Sequence, residues 1–277
     1  MPLKTALITG CSEGGLGAAL AKAFQEQGYH VFATLRNPAK VGALAGEEGT
    51  NIDVLQLETT SEESINNCLK TVKKKTGGSL DVLVNNAAIG TTMPLIHASI
   101  EDAKAMYDVN VWGTLRLIQA FSPLLLESKG VVMNICSIVG AANVAWQGIY
   151  NSSKAAETMM SETLRMELEP LGVRVMTVML GQVSTQMYAN TPTFKLPEGS
   201  PYEKIADIIT SSSKGDLNHD NEPADVVARN LVRDAISGRR GQIWRGGLAG
   251  TVYLSLWLLP KRLFEWIVHL KRGVYDL

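Results

Sequence analysis

The sequence predicts an α/β fold: a doubly wound parallel sheet of about seven strands, with helices on both faces, in a single domain. Three observations predict it. Short apolar runs alternate with helix-period segments along the chain. The runs are continuous rather than alternately apolar and polar, as expected of strands covered on both faces. The 277 residues, 45% of them hydrophobic, suffice for one sizeable core.

In order, Thr5–Thr9 reads as strand one, Leu16–Gln27 as a helix, Tyr29–Leu35 as strand two and Ile52–Leu57 as strand three. Ser61–Lys75 is helical, and Thr60, three residues before Glu63, predicts a capping box. Leu80–Val84 is strand four. A long helix follows, with Ser99 as its cap and Asp102 at its third position. Gly130–Cys136 is strand five, Tyr150–Leu168 a helix, Val173–Met179 strand six and Gln242–Trp244 a short strand seven. Two stretches stand outside this rhythm: the polar Gln186–Glu222, and an apolar, then basic, tail from Gly246. The organisation expected is a catalytic domain over residues 1–245, carrying a substrate lid at about 186–222, and a C-terminal extension over 246–277.

The charges nearly cancel, 26 Lys+Arg against 27 Asp+Glu, and no long basic run appears, so nucleic acid is not an expected partner. Cys11, Cys68 and Cys136 are scattered, with no C-x-x-C pair or His/Cys cluster, so no metal site is expected. The chain enters strand one directly after Lys4, which leaves no signal peptide and predicts an intracellular protein.

Thr9-Gly10-Cys11-Ser12-Glu13-Gly14-Gly15-Leu16-Gly17 lies between strand one and its helix. Glycines there permit a tight turn and let backbone N–H groups approach a pyrophosphate, and the helix N-terminus adds partial positive charge. Strand two ends in Thr34-Leu35-Arg36, with no acid from Val31 to Lys40 to meet a ribose 2′-hydroxyl. Arg36 suits a 2′-phosphate, which favours NADP(H) over NAD(H).

Tyr150 and Lys154 open a helix one turn apart and so share a face. A neighbouring ammonium favours the phenolate and lowers a tyrosine's pKa. Such a phenol can give a proton to a ketone oxygen, or take one in reverse. The spacing alone is common by chance. Ser137 at the end of strand five could hydrogen-bond a carbonyl. Asn110, in the long helix, offers an amide to hold a relay water. Asn85-Asn86-Ala87-Ala88 after strand four would lie beside a cofactor.

These residues together resemble the short-chain dehydrogenase/reductase family over residues 1 to about 245, in Thr9–Gly17, Asn85–Ala88, Asn110, Ser137, Tyr150/Lys154 and Leu180–Thr185. The resemblance implies a Rossmann-type fold, with Asn110, Ser137, Tyr150 and Lys154 catalytic. It implies cofactor contacts at Gly10, Ser12, Gly15, Leu16, Gly17, Arg36, Glu58, Asn86, Ala87, Tyr150, Lys154, Val183 and Thr185. Homodimers or homotetramers, joined through the helices of Asn110 and Tyr150, are also implied. The chain departs from the family pattern in adjacent Gly14 and Gly15, in Ala88 for a glycine, in Glu58 for an aspartate and in Leu180 for a proline. The extra loop glycine and Ile243-Trp244-Arg245-Gly246-Gly247 are similar to the fungal, NADPH-dependent 1-acyldihydroxyacetone-phosphate reductase subgroup. That subgroup is related to the 17β-hydroxysteroid dehydrogenases and associates with lipid droplets and endoplasmic reticulum.

Gly246–Pro260 carries no charge but is shorter than the roughly 20 residues a spanning helix needs. Leu263, Trp266, Ile267 and Leu270 repeat with helical period among Lys and Arg. That suits a helix lying on a membrane or lipid-droplet surface, or one packed over the substrate pocket or a second copy. Met187, Tyr188, Phe194, Leu196 and Tyr202 in the lid are candidate liners of an apolar entrance.

The expected activity is NADPH-dependent reduction of a small hydrophobic ketone, lipid-like or polyketide-like, with Tyr150 as proton donor. The competing expectations are an NADP-dependent hydroxysteroid-type alcohol dehydrogenase, a non-catalytic dinucleotide-binding module, and a membrane-tethered interaction protein. The location expected is cytoplasmic, or peripheral on endoplasmic reticulum or lipid droplets.

Overall fold

The computed structural model describes residues 3–45, 51–188 and 194–277. Seven strands form one parallel sheet: β1 (Thr5–Thr9), β2 (His30–Leu35), β3 (Ile52–Gln56), β4 (Val82–Asn85), β5 (Val131–Ile135), β6 (Arg174–Leu180) and β9 (Gly241–Arg245), in the order β3-β2-β1-β4-β5-β6-β9. A two-stranded pair, β7 (Val183–Ser184) with β8 (Glu222–Pro223), stands apart. The helices are α1 (Leu16–Glu26), α2 (Glu62–Thr76), α3 (Ile100–Tyr107), α4 (Thr114–Ser128), α5 (Gly148–Leu168), α6 (Ala206–Lys214), α7 (Ala224–Ile236), α8 (Ala249–Leu258) and α9 (Lys261–His269).

Alternate residues of each strand feed opposite cores, which is why the strands read as unbroken apolar runs. Ala6, Ile8, Val31 and Val84 pack with Leu20, Phe24, Leu231 and Val232 of α1 and α7. Leu7, Phe32, Leu83 and Val132 pack with Ile65, Val72, Leu117 and Phe121 of α2 and α4. The sheet reverses winding between β1 and β4, and that switch point places a crevice at the carboxyl ends of the strands.

Local chemistry sets the helix ends. Ser99 caps α3 by accepting the Asp102 amide at 3.2 Å, as expected. The cap of α2 is Ser61, which accepts the Ser64 amide at 3.2 Å. Thr60 is not the cap, because its hydroxyl is turned to Glu58 at 3.1 Å. The long helix expected after Ser99 is interrupted: a π turn over Asp108–Gly113 separates α3 from α4. Pro123 inside α4 leaves the Gln119 carbonyl without its helical donor, and the Ser122 hydroxyl supplies one at 2.9 Å.

The tail folds back on the domain. The Ala145 amide donates to His269 Nε2 at 3.1 Å, Trp146 Nε1 to the Arg272 carbonyl at 2.8 Å, and Asn143 Nδ2 to Glu265 Oε1 at 3.1 Å. Phe264 and His269 are buried, whereas Leu263, Trp266, Ile267 and Leu270 of the anticipated apolar stripe are at least two-fifths exposed. Among the described residues, no helix is long and apolar enough to cross a membrane.

Candidate active site

One cleft of about 1790 Å³ runs across the carboxyl ends of the strands. Gly10, Ser12, Gly15, Leu16, Arg36, Glu58, Asn86, Ala87, Ser137, Tyr150, Lys154, Val183 and Thr185 line it; Gly17 and Asn110 do not.

At one end lies the Gly-rich loop. Gly10 takes φ +72°, a conformation that L side chains rarely adopt. A Cβ on Gly17 would stand 2.5 Å from the Gly10 carbonyl oxygen and 2.6 Å from Asn86 Nδ2, so Gly17 lets α1 press against its own loop rather than facing the cleft. The Asn86 amide braces that loop, donating to the Thr9 carbonyl at 2.7 Å and to Gly10 at 3.3 Å. The N-terminus of α1 has no side-chain cap, so its first-turn N–H groups suit a phosphate oxygen. The Arg36 side chain is 79% exposed, and its pairing with Glu58 is loose, Nε to Oε2 3.7 Å. Such a surface pair holds the guanidinium weakly, leaving it free to meet a further phosphate. Lys40 lines the same end.

The other end gathers Ser137, Tyr150 and Lys154. Ser137 follows β5, where its Oγ donates to the Leu180 carbonyl at 3.4 Å and accepts the Val139 amide at 3.3 Å. Tyr150 and Lys154 occupy successive turns of α5. Lys154 Nζ is buried, donating to the Ile135 carbonyl at 2.8 Å and to Glu157 Oε2 at 2.7 Å. Burial opposes its charge, yet Glu157, Tyr150 and Cys136 outweigh that and hold the ammonium above the ordinary lysine value. Burial also pushes the Glu157 carboxyl up, against the pull of Lys154 and Thr114.

One expectation is corrected here. Tyr150 was expected to titrate below the ordinary tyrosine value, but its phenol is held above it. Burial is the largest cause; Lys154 and a hydrogen bond with Ser137 pull it down, while Tyr188 and Glu157 add to the rise. Lys154, paired with Glu157 at 2.7 Å, does not outweigh the burial of the phenol. The Asn110 amide has other partners as well. Its Nδ2 donates to the Ile89 carbonyl at 2.9 Å and Ser153 Oγ at 3.1 Å, and its Oδ1 accepts the Ile89 amide at 2.9 Å. Asn110, fully buried, clamps the loop after β4 onto α5.

The short chain dehydrogenase family matches residues 4–195. The chain belongs to that family. The short-chain dehydrogenase cctT of Talaromyces islandicus is 48% identical over 269 residues, covering 96% of this chain and 94% of that one. The NADPH-dependent 1-acyldihydroxyacetone phosphate reductase of Schizosaccharomyces pombe is 40% identical, covering 96% and 93%. A Burkholderia cenocepacia short chain dehydrogenase in complex with NADP superposes with a TM-score of 0.74 at 26% identity, covering 94% and 95%. The present chain is therefore a short-chain dehydrogenase, an oxidoreductase.

Two residues that support this dehydrogenase's cleft without lining it escaped sequence reasoning. Glu157 was legible in principle, as an acid three residues after Lys154 on the same helical face. Trp146 was not. It takes φ +70°, a strained conformation for a bulky residue, costing on the order of 1–3 kcal/mol. There its carbonyl accepts the Met93 amide at 2.7 Å and its ring meets Tyr202 at 5.2 Å. Of the lid residues named from sequence, Met187, Tyr188 and Phe194 line the cleft; Leu196 and Tyr202 do not.

Proposed function

We propose that this chain is an NADPH-dependent ketoreductase acting on a hydrophobic ketone. The observation that carries this is the convergence of Ser137, Tyr150 and Lys154 in the cleft that also holds the Gly-rich loop and Arg36. NADPH bound there would supply the hydride to the carbonyl carbon. Ser137 hydrogen-bonds the carbonyl oxygen, and the Tyr150 hydroxyl transfers its proton to that oxygen as it becomes an alkoxide. Lys154, kept charged by Glu157, stabilises the phenolate left behind. Asn110 acts by position, through Ile89 and Ser153. A phenol held above its ordinary value stays protonated at neutral pH, as the proton donor of a ketone reduction must be. Gly10, Ser12, Gly15 and Leu16 would hold the pyrophosphate, with Gly17 packing α1 against them; Arg36 would meet the 2′-phosphate and Glu58 the adenine end. Ala87, Val183 and Thr185 would contact the nicotinamide half, with Asn86 supporting the loop.

The apolar lining, including Val252, Leu259, Phe264 and Val268, supports a lipid-like or polyketide-like substrate. The test is NADPH oxidation across acyl-dihydroxyacetone phosphates, steroids and polyketide ketones. No turnover with any class would refute the reading. In the same assay Arg36→Ala is expected to raise the KM for NADPH roughly tenfold, by loss of a charge-assisted contact, and to leave that for NADH unchanged.

The same reading puts the tail against a lipid surface and the α4 and α5 face against a second copy. Trp257 and Leu258 are 76% and 69% exposed beside Lys261 and Arg262; Trp112 and Met159 are exposed on the other face. Trp257→Ser with Leu258→Ser is expected to abolish flotation with anionic vesicles. Flotation that persists would discard the lipid contact.

A further inference from the structure

Arg272 is a cation with no carboxylate partner among the described residues, set in a cleft whose lining includes Val252, Leu259, Phe264, Ile267 and Val268. It lies just past α9 and lines the cleft that Tyr150 lines. Its backbone is fixed: its amide donates to the His269 carbonyl at 3.0 Å, and its carbonyl accepts Trp146 Nε1 at 2.8 Å. His269 is fixed in turn. Its Nδ1 donates to the Glu265 carbonyl at 2.6 Å, leaving Nε2 to accept the Ala145 amide at 3.1 Å. The loop holding these residues is tied to the catalytic helix, since Asn151 Nδ2 donates to the Val144 carbonyl at 2.7 Å. Arg272 is thus held in register with Tyr150, its neighbour Asn151 being part of the tie.

Among the described residues no carboxylate comes within ion-pair distance of the Arg272 guanidinium; the same holds for Arg174, Arg233 and Arg262, but of these four only Arg272 lines the cleft, and Arg36, the other arginine there, meets Glu58. Burial holds Arg272 below the ordinary arginine value, and the group that opposes this is Tyr188, the same ring that acts on Tyr150. Tyr188 lines the same cleft as both, its hydroxyl accepting Asn218 Nδ2 at 2.7 Å. Drawing a guanidinium out of water without an anion is costly, and a carboxylate or phosphate forked onto it repays that cost.

We propose that Arg272 is an anion-binding subsite for the substrate, so that the ketone reduced here carries an acidic group, carboxylate or phosphate, on an otherwise apolar skeleton. The inference rests on the ketoreductase reading and deepens it. The S. pombe relative is named for a phosphate-bearing ketone, which agrees with this chemistry.

The test compares a medium-chain oxo fatty acid, its methyl ester and the matching oxoalkyl phosphate, with wild type, Arg272→Gln and Arg272→Lys. The wild type is expected to prefer an anionic ketone over the ester in KM. Arg272→Gln should reduce that preference roughly tenfold or more, and Arg272→Lys should restore part of it. The anion showing the larger Arg272-dependence, carboxylate or phosphate, identifies the natural group. A wild type with no preference, a preference surviving in Arg272→Gln, or a change confined to the KM for NADPH would each overturn the subsite. If no probe is turned over, binding of the same three probes to the protein–NADP⁺ complex is followed by tryptophan fluorescence. Arg272-dependent anion binding then upholds the subsite, its absence overturns it, and the ketoreductase reading falls only if the wider ketone panel is not turned over either.

Discussion

Replacing Tyr150 by phenylalanine is expected to lower ketone-dependent NADPH oxidation by roughly a hundred- to ten-thousand-fold, the range a positioned general acid contributes. The ring of Tyr150 and its place on α5 are kept, so NADPH binding, followed by fluorescence titration, should persist. Turnover retained in Tyr150→Phe would sink the assignment of the acid. The pH profile makes the same claim in another form. Ketone reduction needs the protonated phenol, and burial together with Tyr188 and Glu157 holds that phenol up against Lys154 and Ser137. The reduction rate should therefore be level through neutral pH and fall only beyond the ordinary tyrosine value of ~10. Alcohol oxidation, which needs the phenolate, should rise over the same alkaline limb. A limb centred near neutrality would contradict the raised phenol.

The sheet and its order of elements were legible because burial on both faces writes itself as unbroken apolar runs, as in Ala6–Ile8 and Val31–Leu35. Strand ends shifted by a residue or two, because backbone pairing rather than hydropathy decides them: β9 runs Gly241–Arg245, wider than its apolar centre. The cleft residues were legible where chemistry follows a strand end, as at Arg36, Glu58 and Ser137. Roles that depend on who else is near were not. Lys154 reads from sequence as an ammonium beside Tyr150, but the sequence does not show Glu157 2.7 Å from it, nor that both Asn110 amide hydrogens go to Ile89 and Ser153. The π turn at Asp108–Gly113 has no periodicity signature. The tail is the clearest case. Its apolar residues divide between the cleft and the exterior, and only the contacts of His269, Arg272 and Glu265 with residues 143–146 decide which side is which.

Glu157→Leu is expected to destabilise the protein by about 3–5 kcal/mol, because it leaves the Lys154 ammonium buried with only the Ile135 carbonyl for company. Both side chains of the pair are almost wholly inaccessible, at 3% and 2%, so water cannot take over from the carboxylate. Urea unfolding measures the loss as a lower midpoint at unchanged slope. Glu157→Gln keeps the shape and an oxygen for Nζ, and should lose less. A leucine variant within about 1 kcal/mol of wild type would show that Lys154 finds another way to hold or shed its charge. The decisive variant is the double one, Lys154→Met with Glu157→Leu. Replacing a buried ion pair by apolar side chains of similar volume is often neutral or stabilising, so the double variant should regain most of the stability lost by the single one. It should remain inactive, because the phenolate of Tyr150 then has no ammonium beside it. Stability and catalysis are thus expected to part at this pair: the fold should tolerate its removal as a unit, while the proposed reaction needs its charge.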